Sequence, residues 1–328
     1  MMTHMPFWLV GLGSHTVAFN RYKLLLSMYE SVDIIFMAGK SKIKMPFQGL
    51  VASFDNINDN VITQIVDHIN NIGYDVLYCQ YDLFLNIALQ VNCKKVVEIH
   101  DVMHLRQDRF KIFDYVAPFL TTEDLELSRL RQYDSVICLS QEESVYLRNK
   151  GIMNVHLIPP NFEINATLDT KGEYLGIIGS SAKPNIDGII YYQKSLIEIE
   201  NLVIAGSISN TIDPNIYTNS VNVLGVIPET HNFYKILRGT LVPVRFGAGV
   251  KIKTIESLIN MVPVFSTSHG VGGLPEGIEC VSFVFDELSE WCTSNFNLLK
   301  TIKKSDVENY VHTNFSYSEC AIKINCAF

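Results

Sequence analysis

The chain has no C-x-x-C pair, and its 7 cysteines are an odd, scattered number. That excludes a structural zinc ribbon and argues for a reducing compartment over a disulfide-held secreted fold. Long apolar runs are missing too: no stretch approaches the ~18–20 residues that span a bilayer. The opening Met1-Met2-Thr3-His4-Met5 carries no charged segment, and the apolar run behind it breaks at Gly11, so no signal peptide is expected. A basic excess is absent, with 26 Lys+Arg against 34 Asp+Glu and a net charge of -8. Proteins that coat nucleic acid are usually basic, so that class is set aside. No solenoid-length repeat or low-complexity segment occurs. What is present is a chain of 328 residues, 48% hydrophobic, with 18 Phe and 15 Tyr. At roughly 100–200 residues per domain, it holds enough apolar surface for two cores. The expectation is a soluble cytoplasmic enzyme.

Apolar runs bounded by turn residues predict strands at 7–11, 33–38, 75–79, 95–99, 134–139 and 154–158. Helical spacing separates them at 17–29, 61–71 and 123–132. After the polar segment 163–173 the pattern restarts, with strands at 174–179, 201–206, 221–225, 240–244, 262–266 and 280–285. Helices are predicted there at 185–199, 249–260 and 287–300. Strand–helix alternation implies parallel sheets covered on both faces. The fold class read from it is α/β, two doubly wound Rossmann-like domains at 1–165 and 166–328, the last segment being free to pack back on the first domain. Ligands bind beyond the carboxyl ends of such strands, which places the site in the cleft between the domains.

The densest chemistry lies in Val244-Arg245-Phe246-Gly247-Ala248-Gly249-Val250-Lys251-Ile252-Lys253-Thr254-Ile255-Glu256, between a strand and a helical pattern. Gly247 and Gly249 allow close backbone approach, and free N–H groups at a helix start bind anions. Arg245 and Lys253 add positive charge. Lys253 and Glu256 stand three apart, so they share a helix face. Cations and amides suit a diphosphate, and a carboxylate suits sugar hydroxyls. A second glycine-rich turn, Ser268-His269-Gly270-Val271-Gly272-Gly273-Leu274, leaves the next strand. An ordinary amphipathic helix with a glycine turn explains one such cluster; two adjacent ones at strand ends are harder to explain as packing.

These residues resemble the donor-binding core of retaining glycosyltransferases with the GT-B fold, similar to glycosyltransferase family 4 and its subgroup with R-x-G-A-G-x-x-x-K-x-x-E. Val262-Pro263-Val264, Thr267 and Gly270–Leu274 follow in the family's order. Upstream, Gly179-Ser180-Ser181-Ala182-Lys183-Pro184-Asn185-Ile186-Asp187-Gly188 is similar to its G-S-x-x-x-P-N-x-D-G segment. Ser140-Gln141-Glu142-Glu143 resembles its S-x-x-E, and Ile158-Pro159-Pro160-Asn161 its I-P-N. The likeness covers most of residues 95–275. Many members carry a second glutamate eight positions before Glu256, where this chain has Ala248. The resemblance implies an acceptor-side domain at 1–165 and a nucleotide-sugar domain at 166–328. It also implies a retaining, metal-independent mechanism with no cofactor. The partners implied are a nucleoside-diphosphate sugar and a glycan or lipid-linked acceptor in surface polysaccharide synthesis.

In the first half, Gly11-Leu12-Gly13-Ser14-His15-Thr16 has Thr16 where a dinucleotide fingerprint needs a third glycine, and Asp33 precedes the second strand instead of ending it. In the glycosyltransferase reading Gly11 and Gly13 face the donor phosphates. His100 and His104 stand four apart as in a zinc helix, but they follow a strand and lack the H-E-x-x-H glutamate. His100-Asp101 at a strand end resembles the family's acceptor-side loop; the bland reading is a capping Asp beside a hydrogen-bonded His. Arg245, Lys253, His100 and Asp101 are the candidate catalytic residues. Gly11, Gly13, Gly179, Gly247, Gly249, Glu256, Gly270 and Gly272 join Arg245 and Lys253 on the donor. Two rivals share the architecture: a nucleotide-sugar epimerase, which needs no acceptor, and a non-catalytic partner in glycan assembly. Lys94, Lys95, Arg106, Arg109 and Lys111 suggest weak peripheral contact with an anionic membrane face.

Overall fold

The computed structural model describes residues 1–9, 12–39, 43–53, 58–164, 172–213 and 221–328. Gly11 and most of the polar segment 163–173 lie outside them. The first sheet comprises β1 (Met2–Thr3), β2 (Ile34–Ala38), β3 (Gly49–Ser53), β4 (Val76–Gln80), β5 (Lys94–Ile99), β6 (Ser135–Cys138) and β7 (Val155–Leu157). Its order is β3-β2-β1-β4-β5-β6-β7. The second comprises β8 (Tyr174–Ile178), β9 (Leu202–Ala205), β10 (Val221–Gly225), β11 (Leu237–Val242), β12 (Val264–Ser266) and β13 (Ser282–Val284). Its order is β10-β9-β8-β11-β12-β13. All pairings are parallel. Each sheet is doubly wound, and its winding reverses between β1 and β4 or between β8 and β11. Crevices open there at the carboxyl ends of the strands.

Inner strands such as β6 (Ser135-Val136-Ile137-Cys138) and β9 (Leu202-Val203-Ile204-Ala205) are buried at every position. A parallel strand covered by helices on both faces needs such a run. Three predicted elements differ. Residues 7–9 of the run predicted at 7–11 form a turn and not a strand, and 10–11 lie outside the described residues; β1 is Met2–Thr3, paired with β2 and β4. Phe7 instead stacks on Phe47 at 5.5 Å, and Trp8 meets Phe36 edge-on at 4.8 Å. A buried loop and a buried strand ask for the same apolar residues, and Pro6 withdraws a ladder donor. The helix predicted from 249 begins at Ile252. The helix predicted at 287–300 breaks into the turns Leu288–Glu290, Thr293–Phe296 and Asn297–Thr301. Ser, Thr and Asn compete there for backbone hydrogen bonds. Trp291 is buried, stacks on Tyr192 at 4.1 Å and donates Nε1–H to the Phe285 carbonyl at 2.9 Å. The last helix, Tyr317–Ala327, packs on the first sheet. Cys320, Ile324 and Ala327 join the core of Tyr78, Val96 and Ile137. No helix among the described residues is long and apolar enough to cross a membrane.

Helix Gly13–Met28 is pinned to the first sheet by Arg21, fully buried, whose Nε donates to Glu98 Oε2 at 2.7 Å. Its Nη2 donates to the carbonyls of Ile158 and Pro159 at 3.1 and 3.2 Å. Burial pushes the Glu98 carboxyl up, but the Arg21 guanidinium more than offsets this and holds it at about 2. This depressed value gives stability that is present above the ordinary carboxylate range and lost as pH falls toward 2. Arg21→Ala leaves a buried carboxylate without its partner. It is expected to lower unfolding free energy by about 3–5 kcal/mol, measured by urea denaturation. A change under about 1 kcal/mol would show that solvent reaches Glu98.

Candidate active site

The residues expected to meet the donor gather at the carboxyl ends of β8, β11 and β12. Lys253, in the first turn of helix Ile252–Ile259, donates Nζ–H to Asn185 Oδ1 at 2.5 Å. Asn185 Nδ2 donates in turn to the Ser180 carbonyl at 2.9 Å. Gly179 ends β8 beside them; a Cβ there would sit 3.1 Å from Lys253 Nζ. Burial and the neighbouring Lys251 push the Lys253 ammonium down to about 7, with Glu256 opposing. Burial pushes Glu256 up to about 7, opposed by Lys253 and by a hydrogen bond from Tyr234. The shared helix face predicted for Lys253 and Glu256 is therefore real. In the ligand-free chain its two charges titrate close to neutrality.

Arg245 is engaged on arrival. Its Nε and Nη2 donate to Asp187 Oδ2 and Oδ1 at 2.8 and 3.0 Å, and its guanidinium lies 3.8 Å from the Tyr191 ring centre and 5.1 Å from that of Phe113. This paired fork fixes the arginine but uses two of its five N–H groups. The Gly247–Gly249 segment is a loop, not the start of the helix. Gly249, at φ +62, holds the left-handed conformation that glycine takes without strain, and a Cβ there would approach the His100 carbonyl oxygen to 2.4 Å. Its N–H donates to Glu143 Oε1 at 3.1 Å. One amide expected to face the donor is thus held by a carboxylate. Gly247 has φ +128, and its carbonyl accepts from Arg109 Nη1 at 3.2 Å. Gly270 packs: its N–H bonds Thr267 Oγ1, its carbonyl accepts from Thr254 Oγ1 at 2.7 Å, and a Cβ would strike Ser266 Oγ. Gly272 lines the cleft with Gly247, Gly249, Lys251, Arg109 and His269 around a cavity of about 230 Å³. Gly13 opens the first long helix, where a Cβ would touch Ile252 at 3.0 Å, so the two domains meet there.

On the facing side, β5 ends at Ile99 and is followed by His100 and Asp101, both buried. His100 Nε2 stands 3.5 Å from Glu98 Oε1. Asp101 Oδ2 accepts from Arg106 Nη1 at 2.8 Å, while its Oδ1 is buried with no hydrogen-bond partner among the described residues. His104 points elsewhere, bonded to Glu126 and to the Tyr146 hydroxyl at 2.7 Å each.

Four residues matter that the sequence did not single out. Glu143 spans the cleft: its Oε1 accepts from the Val102 N–H at 3.3 Å as well as from Gly249. Burial and Asp101 push its carboxyl up to about 7. The S-x-x-E motif marked it without suggesting this role. Lys251 donates Nζ–H to the carbonyls of Ala248 and Gly249 at 3.2 and 2.8 Å, and burial brings its ammonium down to about 8. In Lys251-Ile252-Lys253 nothing local tells the lysine that bonds the glycine loop from the one that meets Asn185. Arg109 joins Gly247 across 138 positions of sequence and also pairs with Glu142. Asp187, visible only within the P-N-x-D-G match, turns out to hold Arg245. A wider hollow of about 520 Å³, lined by Glu173, Glu198, Glu200, Arg238 and Lys300, lies at the amino ends of β8, β9 and β11. Doubly wound sheets do not place their ligand sites at that end.

No protein-family model matches the sequence, and no curated protein does. Solved structures do match. Sucrose-phosphate synthase from Thermosynechococcus elongatus superposes with a TM-score of 0.70 at 13% identity, over 96% of this chain and 92% of that one. Anabaena HepE in complex with UDP gives 0.68 at 13%, over 94% of each. TarM gives 0.64 at 15%, over 81% of this chain, which spans only 58% of TarM's length. Two doubly wound sheets facing one cleft, superposing on sucrose-phosphate synthase and HepE along nearly the whole chain, settle the architecture. The fold is GT-B. At such identities the likeness carries the GT-B fold and no more.

Proposed function

We propose that this GT-B chain is a glycosyltransferase that moves a sugar from a nucleoside-diphosphate sugar to a glycan or lipid-linked acceptor, with retention, in surface polysaccharide synthesis. The observation that carries the reading is the convergence of Lys253, Asn185, Gly179 and Glu256 at the strand ends of one domain, opposite the His100–Asp101 turn of the other. Departure of a nucleoside diphosphate builds negative charge on the leaving oxygen, and preorganised cations and amides lower that barrier. Lys253 supplies the ammonium, Arg245 braces that side of the cleft, and Glu256 takes sugar or ribose hydroxyls. HepE has been captured with UDP and with UDP-glucose, and TarM with UDP and an α-GlcNAc-glycerol, which suits a donor and acceptor of this chemistry. With charge supplied by side chains, transfer survives a chelator; a strict Mg²⁺ or Mn²⁺ requirement would overturn that part. Residues 1–165 form the acceptor side and 166–328 the donor side, apart from the last helix.

Four of the five basic residues behind the expected membrane contact have partners among the described residues. Lys94 Nζ donates to the Phe328 carbonyl, Lys95 pairs with Asp134, Arg106 with Asp101 and Arg109 with Glu142.

Thermal shift against a panel of nucleotide sugars tests the proposal, since a specific ligand raises apparent stability. pH gives a second handle. Lys253 in the free chain loses its proton around pH 7, and a bound diphosphate favours the charged ammonium. Nucleoside diphosphate affinity is expected to fall as pH rises from about 7 to 9. Protons taken up on binding appear as a buffer-dependent heat in calorimetry at pH 8. A heat independent of buffer would place the phosphates away from Lys253.

A further inference from the structure

We propose that Tyr81 is a positioning residue for His100, its ring held against the imidazole by a strained backbone. The proposal rests on the glycosyltransferase reading only in taking transfer as the activity it tunes. Tyr81 follows β4 with φ 66 and ψ 161, a combination that is essentially glycine's alone. Its N–H donates to the Glu98 carbonyl at 2.8 Å, which fastens the strained residue to the strand that ends in His100. Its ring centre lies 5.2 Å from that of His100, tilted by 39°, and 5.9 Å from that of His4. The imidazole thus has Tyr81 on one side and Glu98 Oε1 at 3.5 Å from Nε2, and Glu98 is itself clamped by Arg21. The Tyr81 phenol lies in the field of Asp101, Arg106, Glu143 and Glu98, and burial together with these carboxylates keeps it neutral.

Strain of this kind persists where the surroundings over-determine it, and such outliers cluster at functional sites. A glycine would relax the backbone, and the ring covers one edge of a core that has many other aromatics. What the strained conformation provides is the ring beside His100, the residue whose carbonyl faces Gly249 of the other domain.

The test compares Tyr81→Phe, Tyr81→Ala and Tyr81→Gly in the full chain. Alanine keeps the strain and loses the ring, while glycine loses both, so the glycine variant is expected to melt above the alanine variant. That reverses the usual order of the two residues. The His100 imidazole signals, followed by NMR through a pH titration, are expected to stay in place in the Phe variant and to shift in the Ala and Gly variants. Transfer at saturating donor and acceptor is expected to fall about tenfold in Ala and Gly and to stay within about twofold in Phe. UDP and GDP binding by calorimetry should be unchanged in all three. A glycine variant less stable than the alanine variant, or His100 signals unmoved by loss of the ring, would overturn the proposal. A parent chain that turns over no nucleotide sugar would overturn the function and leave the Tyr81 proposal to be decided by melting and NMR.

Discussion

Lys253→Ala is expected to lower sugar transfer by about 10²–10³-fold, the usual loss when one preorganised donor at a developing charge is removed. The fall should appear mainly in kcat, because the ammonium acts most strongly once charge has built up on the leaving oxygen. Lys253→Arg should not rescue it. The ammonium sits against Asn185 Oδ1 and over Gly179, where even a Cβ would stand only 3.1 Å from Nζ, and a planar guanidinium needs more room. Initial rates at saturating donor and acceptor decide the matter. Alanine activity near the parent's would remove the donor site from this helix. Asp187→Ala should copy Arg245→Ala, since the arginine's direction is set by that carboxylate.

The second large effect is expected at Glu143. Its alanine variant strands two buried amides, Val102 N–H in the turn after β5 and Gly249 N–H in the glycine loop after β11. A buried donor left unsatisfied costs about 1–3 kcal/mol. The larger consequence is positional, because misplacement by about 1 Å can cost ~10² in rate. Glu143→Ala should lower transfer about a hundredfold and speed hydrogen exchange at the Gly249 and Val102 amides. Glu143→Gln should restore most of both. Burial and Asp101 push its carboxyl up to about 7, toward the neutral form, and the amide oxygen of glutamine accepts as a carboxyl oxygen does. Alanine and glutamine variants that behave alike would show that the charge, not the acceptor geometry, matters.

Much of the architecture was legible locally. Alternating apolar runs and helical spacing predicted eleven of the thirteen strands among the described residues in some overlapping form, along with the doubly wound order's prerequisite, strand–helix alternation. β1 was misread because the run behind Pro6 is apolar for a different reason: Phe7 and Trp8 roof the sheet instead of entering it. β3, Gly49–Ser53, escaped because an edge strand with no fully buried position gives a weak pattern. The late start of helix Ile252–Ile259 has a similar cause. Gly249 has helical spacing in sequence, but its N–H is spent on Glu143 and its φ is +62.

The amino-acid sequence by itself determined the fold class, the presence of two glycine turns at strand ends, and the pairing of Lys253 with Glu256 on one helix face. All three follow from periodicity and from residues within a few positions of each other. Tertiary structure alone decided what each group is free to do. It tied Arg245 to Asp187, the Gly249 amide to Glu143, Arg109 to the Gly247 carbonyl, and the ring of Tyr81 to His100. These partners lie 19 to 138 positions apart. Hydrogen bonds and desolvation act only over a few ångströms, so their partners, and the protonation states that follow, exist only once the two sheets have brought those loops together.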